Sequence, residues 1–342
     1  MVMAQSLYKG LAANDPDIEI HVLAPAWSLP ILARMDEVSR AIELPIAHGE
    51  LGLAKRRAIG RALRTEGYAQ AIVLPRSFKA ALVPFFARVP IRTGFRGEWR
   101  YGLINDMRPF DPDRLDQTVT RFVFLGLAAN QTELPPVIEP RLRIDPAAQA
   151  RTLERLGITN ASQVVALMPG AEYGSAKQWP AYNYADLAAR LARVGVAVWI
   201  FGSENERGLG AAIADAADQQ GVRNFCGETQ LNEVVDLLGL ARVAVTNDSG
   251  LMHIAAAVGT HVVGIYGSSS PELTPPLTAK KHIFYRAIDC SPCFERECPL
   301  GHLLCLREIS VDAVCSTVIT VLGKPRRDSA SAMPAHEVRS EH

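Results

Sequence analysis

The stretch ARVAVTNDSGLMHIAAAVG, residues 241–259, decides the fold. Its first part, ARVAVTN, is apolar and β-branched and reads as a buried strand. Its second part, LMHIAAAVG, is rich in good helix formers and stops at Gly259. Between them stand Asp248, Ser249 and Gly250, with His253 one turn further on. A strand that turns through three such residues into a helix is the repeating unit of a parallel α/β sheet, and ligands of such sheets sit at that turn.

The same unit recurs on either side. In the second half VVALMPG, VAVWIFG, VRNFCG and HVVGIYG read as further strands, with helices between them. Glycines at or just past these strand ends let the backbone turn sharply and approach a ligand. The first half alternates likewise: IEIHVLAP, AIELP, QAIVLP and PIRTGF as strands, SLPILARM, GLAKRRAIGRALRTEG, FKAALVPFFARV and DRLDQTVTRFVFLGLAAN as helices. Continuous apolar strands separated by helices predict a parallel sheet covered on both faces. TELPPVIEPRLRIDP, residues 132–146, places four prolines in fifteen positions and reads as a linker. The expected organisation is two doubly wound domains, 1–140 and 141–323, facing a cleft, with 324–342 as a disordered tail. Neither domain carries a G-x-G-x-x-G or a G-x-x-x-x-G-K-[ST] at a strand–helix turn, so the usual dinucleotide and P-loop readings are weak.

Composition narrows the partners. The 342 residues are 48% hydrophobic and 21% charged, an ordinary balance for a soluble protein. The first ten residues, MVMAQSLYKG, lack the pattern of a secretory signal, and a cytoplasmic setting with six mostly reduced cysteines is expected. Overall net charge is zero, yet residues 51–110 hold twelve Lys or Arg against three acids, a local net of +9. That excess points to nucleic acid, a membrane surface or a phosphorylated substrate. Lys55 to Arg64 read as a solvated helix face. Arg76, Lys79, Arg96 and Arg100 lie instead in loop-like sequence beside strand ends and aromatics, and are the candidates for an anionic acceptor.

At the turn after ARVAVTN, the helix N-terminus offers unpaired N–H groups and the positive end of the macrodipole, which suit phosphate. Ser249 and Gly250 would let those amides approach an anion. Asp248 would repel phosphate, but can accept hydrogen bonds from sugar hydroxyls beside it. A plain N-cap is the alternative. MPGAEYGSAKQWP (168–180) delivers Lys177, a point charge for a diphosphate, to the same sheet edge. FGSENER (201–207) delivers Glu204, placed for the hydroxyls of a ribose. A surface lysine and a first-turn acid are the alternatives. Three such loops at one edge fit a nucleotide-diphosphate sugar. CSPCFERECPLGHLLC spaces Cys290, Cys293, Cys298 and Cys305 as C-x2-C-x4-C-x6-C around His302; zinc or iron–sulfur ligation and reduced structural or redox thiols are both open. Cys226 and Cys315 read as buried small residues.

PGAEYGSAKQWP, TNDSGLMHIAAAVG, GSSSPELTPPL and CSPCFERECPLGH together resemble the ADP-heptose:lipopolysaccharide heptosyltransferase family, over residues 1 to about 323. MVMAQSLYKGL, VLAPAW, LPRSFKAALVPFFA and GFRGEWRYGLIND resemble its acceptor half. The resemblance implies an α/β chain of glycosyltransferase-B type, with two Rossmann-like domains, inverting, independent of metal and without a cofactor. It implies transfer of L-glycero-D-manno-heptose from ADP-heptose onto heptosyl-Kdo2-lipid A, at the cytoplasmic face of the inner membrane and with no nucleic acid involved. By the same resemblance Lys177 holds the diphosphate, Glu204 the ribose and Asp248 heptose hydroxyls. Ser249, Gly250 and Leu251 give backbone contacts to phosphate, and Arg76, Lys79, Arg96 and Arg100 meet the acceptor. His253, on a helix where it can face either core or cleft, is counted with the donor residues.

One departure stands out. Family members begin with an apolar strand and a Gly-Asp pair ahead of the segment that here opens MVMAQSLYKGL, and that aspartate is the usual general base. General-base help contributes typically ~10²–10⁴-fold, so the chain as written is expected to bind donor and turn over poorly. A start placed too late, or a decayed, non-catalytic ADP-sugar-binding paralogue, are the two explanations.

Overall fold

The computed structural model describes residues 1–47, 49–131 and 133–323; the expected tail, 324–342, lies outside them. The first half contributes β1 (His21–Ala24), β2 (Arg40–Glu43), β3 (Gln70–Ile72), β4 (Ile91–Phe95) and β5 (Asp106–Arg108). All their pairings are parallel, but they form two ladders, β1–β2 and β3–β4–β5, where one continuous sheet was expected. These strands are three to five residues long, and β2 is mostly exposed. β5 is too short and polar (DMR) to register as a strand by pattern.

The second half contributes β6 (Val164–Met168), β7 (Ala197–Ile200), β8 (Val222–Asn224), β9 (Val243–Asn247), β10 (His261–Tyr266) and β11 (Lys281–Tyr285). They form one parallel sheet in the order β11-β10-β9-β6-β7-β8. Every residue of β6 and β9 is buried, as their unbroken apolar runs require. The helix Ala181–Arg193 lays Tyr184, Leu187, Ala188 and Leu191 on this sheet at helical spacing. The chain order reverses between β6 and β9, so the crevice at their carboxyl ends is the topological switch point, where open α/β sheets bind ligands.

The proline-rich connection ends where Asp145 caps the helix Pro146–Arg155, accepting from the Ala147 and Ala148 amides at 3.0 Å each. Beside it the halves are tied by a buried ion pair, Arg34 to Asp236 at 2.6 Å. The other Asp236 oxygen accepts the Asp145 amide at 2.8 Å, and Leu142 N–H donates to the Ala257 carbonyl at 3.0 Å. One hydrophobic cluster crosses this seam, from Val2, Leu7 and Leu32 to Trp199, Leu237 and Ala256. Among the described residues no helix is long and apolar enough to cross a membrane.

Candidate active site

The loops after β6 and β9 meet at the switch point. Lys177 closes a 3₁₀ turn, Ser175–Lys177, and its ammonium lies 2.6 Å from Asp248 Oδ2. Asp248 is buried, and its other oxygen accepts from Thr274 Oγ at 3.4 Å. Thr274 is held in turn through its carbonyl, which accepts the Tyr266 hydroxyl at 2.8 Å. A positive and a negative side chain therefore face each other at one sheet edge, each able to change partner.

Ser249 sits at the N-cap position of the helix Gly250–Ala257, but its side chain makes no capping hydrogen bond; its hydroxyl lies 3.3 Å from Thr246 Oγ1. The plain-cap alternative therefore lacks its defining bond, and the first-turn amides keep their capacity for an anion. A Cβ built on Gly250 would meet no atom within 4 Å, so the space beside it is open. Leu251 is half-buried beside it.

His253, which the sequence left between core and cleft, is buried beneath this turn, and its Nδ1 has no hydrogen-bond partner. Burial first, with Lys177 adding to it, pushes its pKa down to about 4 against the opposing pull of Asp248. Ser268 and Ser269, in the loop after β10, carry buried hydroxyls that are also without partners. Orphaned polar atoms of this kind cost stability unless a ligand or water completes them. The pattern GSSS was visible in the sequence, but without a partner in view it gave no role.

Asn247 was also missed. Its amide is fully buried; its oxygen accepts the Trp179 N–H and the Tyr184 hydroxyl, both at 3.0 Å, and its nitrogen donates to the Pro169 carbonyl at 2.7 Å. It thereby fixes the Lys177 loop to the end of β9. A buried strand ending in Asn was the available signal.

Glu204 lies in the 3₁₀ turn Glu204–Glu206 after β7, exposed, and bound through both oxygens by Arg207 at 2.8 Å. That guanidinium holds its carboxyl below the usual range, and free lone pairs remain for hydroxyl donors.

The cysteine segment braces the Lys177 loop. Ala176 N–H donates to the Arg296 carbonyl at 3.0 Å, Ser268 N–H to the Ala176 carbonyl at 3.1 Å, and Phe294 N–H to the Ser268 carbonyl at 2.7 Å. Gly174 permits this approach, because a Cβ there would lie 2.1 Å from the Arg296 oxygen. Among the described residues no group of three or more His, Cys, Asp or Glu could hold a metal ion, so the ligand reading of Cys290, Cys293, Cys298 and Cys305 is not matched. All six cysteines are free; Cys226 is buried as expected, whereas Cys315 is only half-buried.

Across the cleft, Arg76 and Arg121 converge on Phe110, with guanidinium carbons 4.5 and 5.2 Å from the ring centre. They line a crevice of about 180 Å³ with Phe95, Thr118 and Phe122. Thr118 N–H donates to the Leu273 carbonyl at 3.0 Å, next to the Thr274 that touches Asp248. This crevice and the Lys177–Asp248 pair thus share a seam. Arg121 escaped the sequence reading because it lies within an apolar helical run. Arg96 is exposed and donates to the Tyr101 hydroxyl at 3.1 Å, and Lys79 is half-exposed. Arg100 is reassigned: it is fully buried and donates to the Phe95 and Pro75 carbonyls, bracing the loop from within, where no acceptor reaches it.

The glycosyltransferase family 9 (heptosyltransferase) profile matches residues 56–304. The chain is 44% identical over 291 residues to lipopolysaccharide heptosyltransferase 2 of Escherichia coli, covering 83% of this chain and 84% of that one. It is 44% identical over 296 residues to lipooligosaccharide heptosyltransferase 2 of Haemophilus influenzae, with the same coverage of 83% and 84%. The solved E. coli ADP-heptose lipopolysaccharide heptosyltransferase II superposes with a TM-score of 0.85 at 38% identity, over 94% of this chain and 95% of that one. A family 9 glycosyltransferase of Veillonella parvula, 16% identical, shares the fold with a TM-score of 0.78. The architecture is of the glycosyltransferase-B type, and the chain belongs to glycosyltransferase family 9, the heptosyltransferases.

Proposed function

We propose that this glycosyltransferase moves a heptose from ADP-heptose onto heptosyl-Kdo2-lipid A in the lipopolysaccharide inner core. The carrying observation is the Lys177–Asp248 pair beside an uncapped helix N-terminus at the switch point. A donor replaces that internal pair with two of its own: the diphosphate takes Lys177 and the first-turn amides of Gly250 and Leu251, while heptose hydroxyls donate to Asp248. The ribose hydroxyls donate to Glu204. An acceptor hydroxyl then attacks the anomeric carbon from the opposite face, passing its proton to the aspartate of the upstream Gly-Asp pair in the extended form or to water in this chain; the bond to phosphate breaks, and configuration inverts. Charge grows on the leaving ADP, where Lys177 and the helix N-terminus oppose it. His253, neutral at physiological pH, lies beneath the donor pocket without adding a like charge beside Lys177.

The acceptor carries phosphates and carboxylates, which fit Arg76, Lys79, Arg96 and Arg121 on the opposite wall. Its lipid anchor places the reaction at the cytoplasmic face of the inner membrane, with the enzyme as a peripheral visitor. That the relatives are named as transferases favours turnover over a binding-only paralogue.

The test is ADP release from ADP-heptose with heptosyl-Kdo2-lipid A, alongside calorimetric donor binding. It compares this chain with a form extended upstream by the family's strand and Gly-Asp pair. Acceptor-dependent release by either form supports the reading. Donor binding without acceptor-dependent release in both forms overturns it.

A further inference from the structure

The arginines that read as a solvated helix face do not all lie on one. Arg64, at the end of the helix Leu53–Ala62 and its 3₁₀ extension, meets Arg88 and Arg92 around a depression of about 450 Å³ floored by Phe85 and Phe86. Arg64 Nε donates to the Phe86 carbonyl at 2.8 Å. Arg92 donates to the Val89 and Leu103 carbonyls at 2.6 and 2.7 Å, and its guanidinium carbon lies 5.9 Å from the Phe85 ring centre. The side chains are thus partly fixed by backbone. Arg57 and Arg61 flank them, and among the described residues none of these five arginines has an ion-pair partner; the nearby acids Glu50 and Glu66 are taken by Lys55 and Arg40. Desolvation, then Arg88, Arg61 and Arg57, hold the Arg64 guanidinium below its ordinary value, though it stays charged. Gathering five like charges without a counter-ion is unfavourable in the free chain, which is what an anionic partner relieves.

The surroundings define the partner. Phe85, which lines the depression, and Ile91, next to Arg92 in the chain, are exposed at 41% and 48%. The loop from β4 to β5 starts beside Arg96, carries Trp99 and Tyr101, exposed at 87% and 60%, and returns to lay the Leu103 carbonyl on Arg92. Cationic and exposed aromatic groups therefore run from the depression to the acceptor loops. Amphipathic rings and basic side chains brought together by this returning loop match the headgroup layer of an anionic bilayer.

We propose that this face docks the enzyme on anionic phospholipid, with a headgroup phosphate seated among Arg64, Arg88 and Arg92. The proposal rests on the reading that the acceptor is embedded in a membrane, but its test does not depend on transfer. Flotation with vesicles of phosphatidylcholine, with and without phosphatidylglycerol, would compare the wild type, Arg64→Gln/Arg88→Gln, and Arg151→Gln/Arg193→Gln as a control of equal charge loss on the other half. Each basic residue near an anionic surface contributes about 1 kcal/mol, so the first double variant should bind anionic vesicles about thirtyfold more weakly. The control should bind like the wild type, and all three should bind ADP-heptose equally. Turnover of an acceptor stripped of its acyl chains should be unchanged in Arg64→Gln/Arg88→Gln, while turnover of vesicle-embedded acceptor falls. Equal binding of the wild type to neutral and anionic vesicles would overturn the proposal. So would equal losses in the two double variants, or release of the wild type from vesicles by inorganic phosphate or the stripped acceptor at the same ionic strength.

Discussion

Lys177 and Asp248 neutralise each other across 2.6 Å, at a point 71 residues apart in sequence and on opposite sides of the switch point. The pair is mostly buried, so neither charge can be removed without leaving the other exposed to a poor environment. Lys177→Ala and Asp248→Ala should each weaken ADP-heptose use by roughly 1.5–3 kcal/mol, the range for a lost charged hydrogen bond. Because the two groups touch, the double variant should lose less than the sum of the singles. Strict additivity in kcat/KM would mean that they act on the donor independently.

Gly250→Ala separates donor binding from folding. The added methyl meets no atom within 4 Å, and alanine gains up to about 1 kcal/mol in a helix over glycine. Unchanged or higher thermal stability with weaker ADP binding is therefore expected. Tight binding in the variant would show that phosphate does not approach this turn.

His253 gives the molecule an acid-side weakness. Its folded pKa of about 4 lies below the unfolded value, so the unfolded chain takes up a proton first as pH falls. Stability from this group is complete above about pH 6.5 and declines toward pH 4, by about 3 kcal/mol at most. Denaturant titrations at both ends of that window should show a steeper loss for the wild type than for His253→Gln. Parallel losses would place the acid sensitivity in other groups.

Asp236 holds the seam. Asp236→Ala strands Arg34 and unpairs the Asp145 amide, and breaking a buried pair costs about 3–5 kcal/mol. Chemical denaturation should show a loss of that size, against under about 1 kcal/mol for Glu66→Ala, whose pair with Arg40 is at the surface.

The thiols should separate by reactivity. Backbone N–H groups, Leu303 first, hold the Cys298 thiol below its ordinary range, whereas burial pushes Cys226 up to about 12. Iodoacetamide labelling of the native protein should modify Cys298 well before Cys226; the reverse order would contradict the thiol environments described above.

The second half was readable because its strands are buried on both sides and therefore spell unbroken apolar runs; VVALM and VAVTN fell where the pattern put them. In the first half, pairing between short strands is decided by contacts distant in sequence, and neither the split of its ladders nor β5 has a local signature. Lys177 and Asp248 were legible because chemistry-bearing side chains at strand ends stand out against apolar flanks. Arg100 was not, because an arginine whose donors all end on carbonyls looks the same in sequence as one aimed at a ligand. Asn247 and the two orphaned serines act through partners that only the folded chain brings near.

The hydrophobic cluster that runs from Val2 and Leu7 to Trp199 and Ala256 bears on how such a protein can be altered. The two halves do not behave as interchangeable cassettes, since exchanging either one would tear a shared interior and strand Arg34 or Asp236. The loops at the carboxyl edge, by contrast, hang from β6, β7, β9 and β10 outside that interior. Diversification of the sugar donor is thus cheaper by replacing loops than by recombining halves.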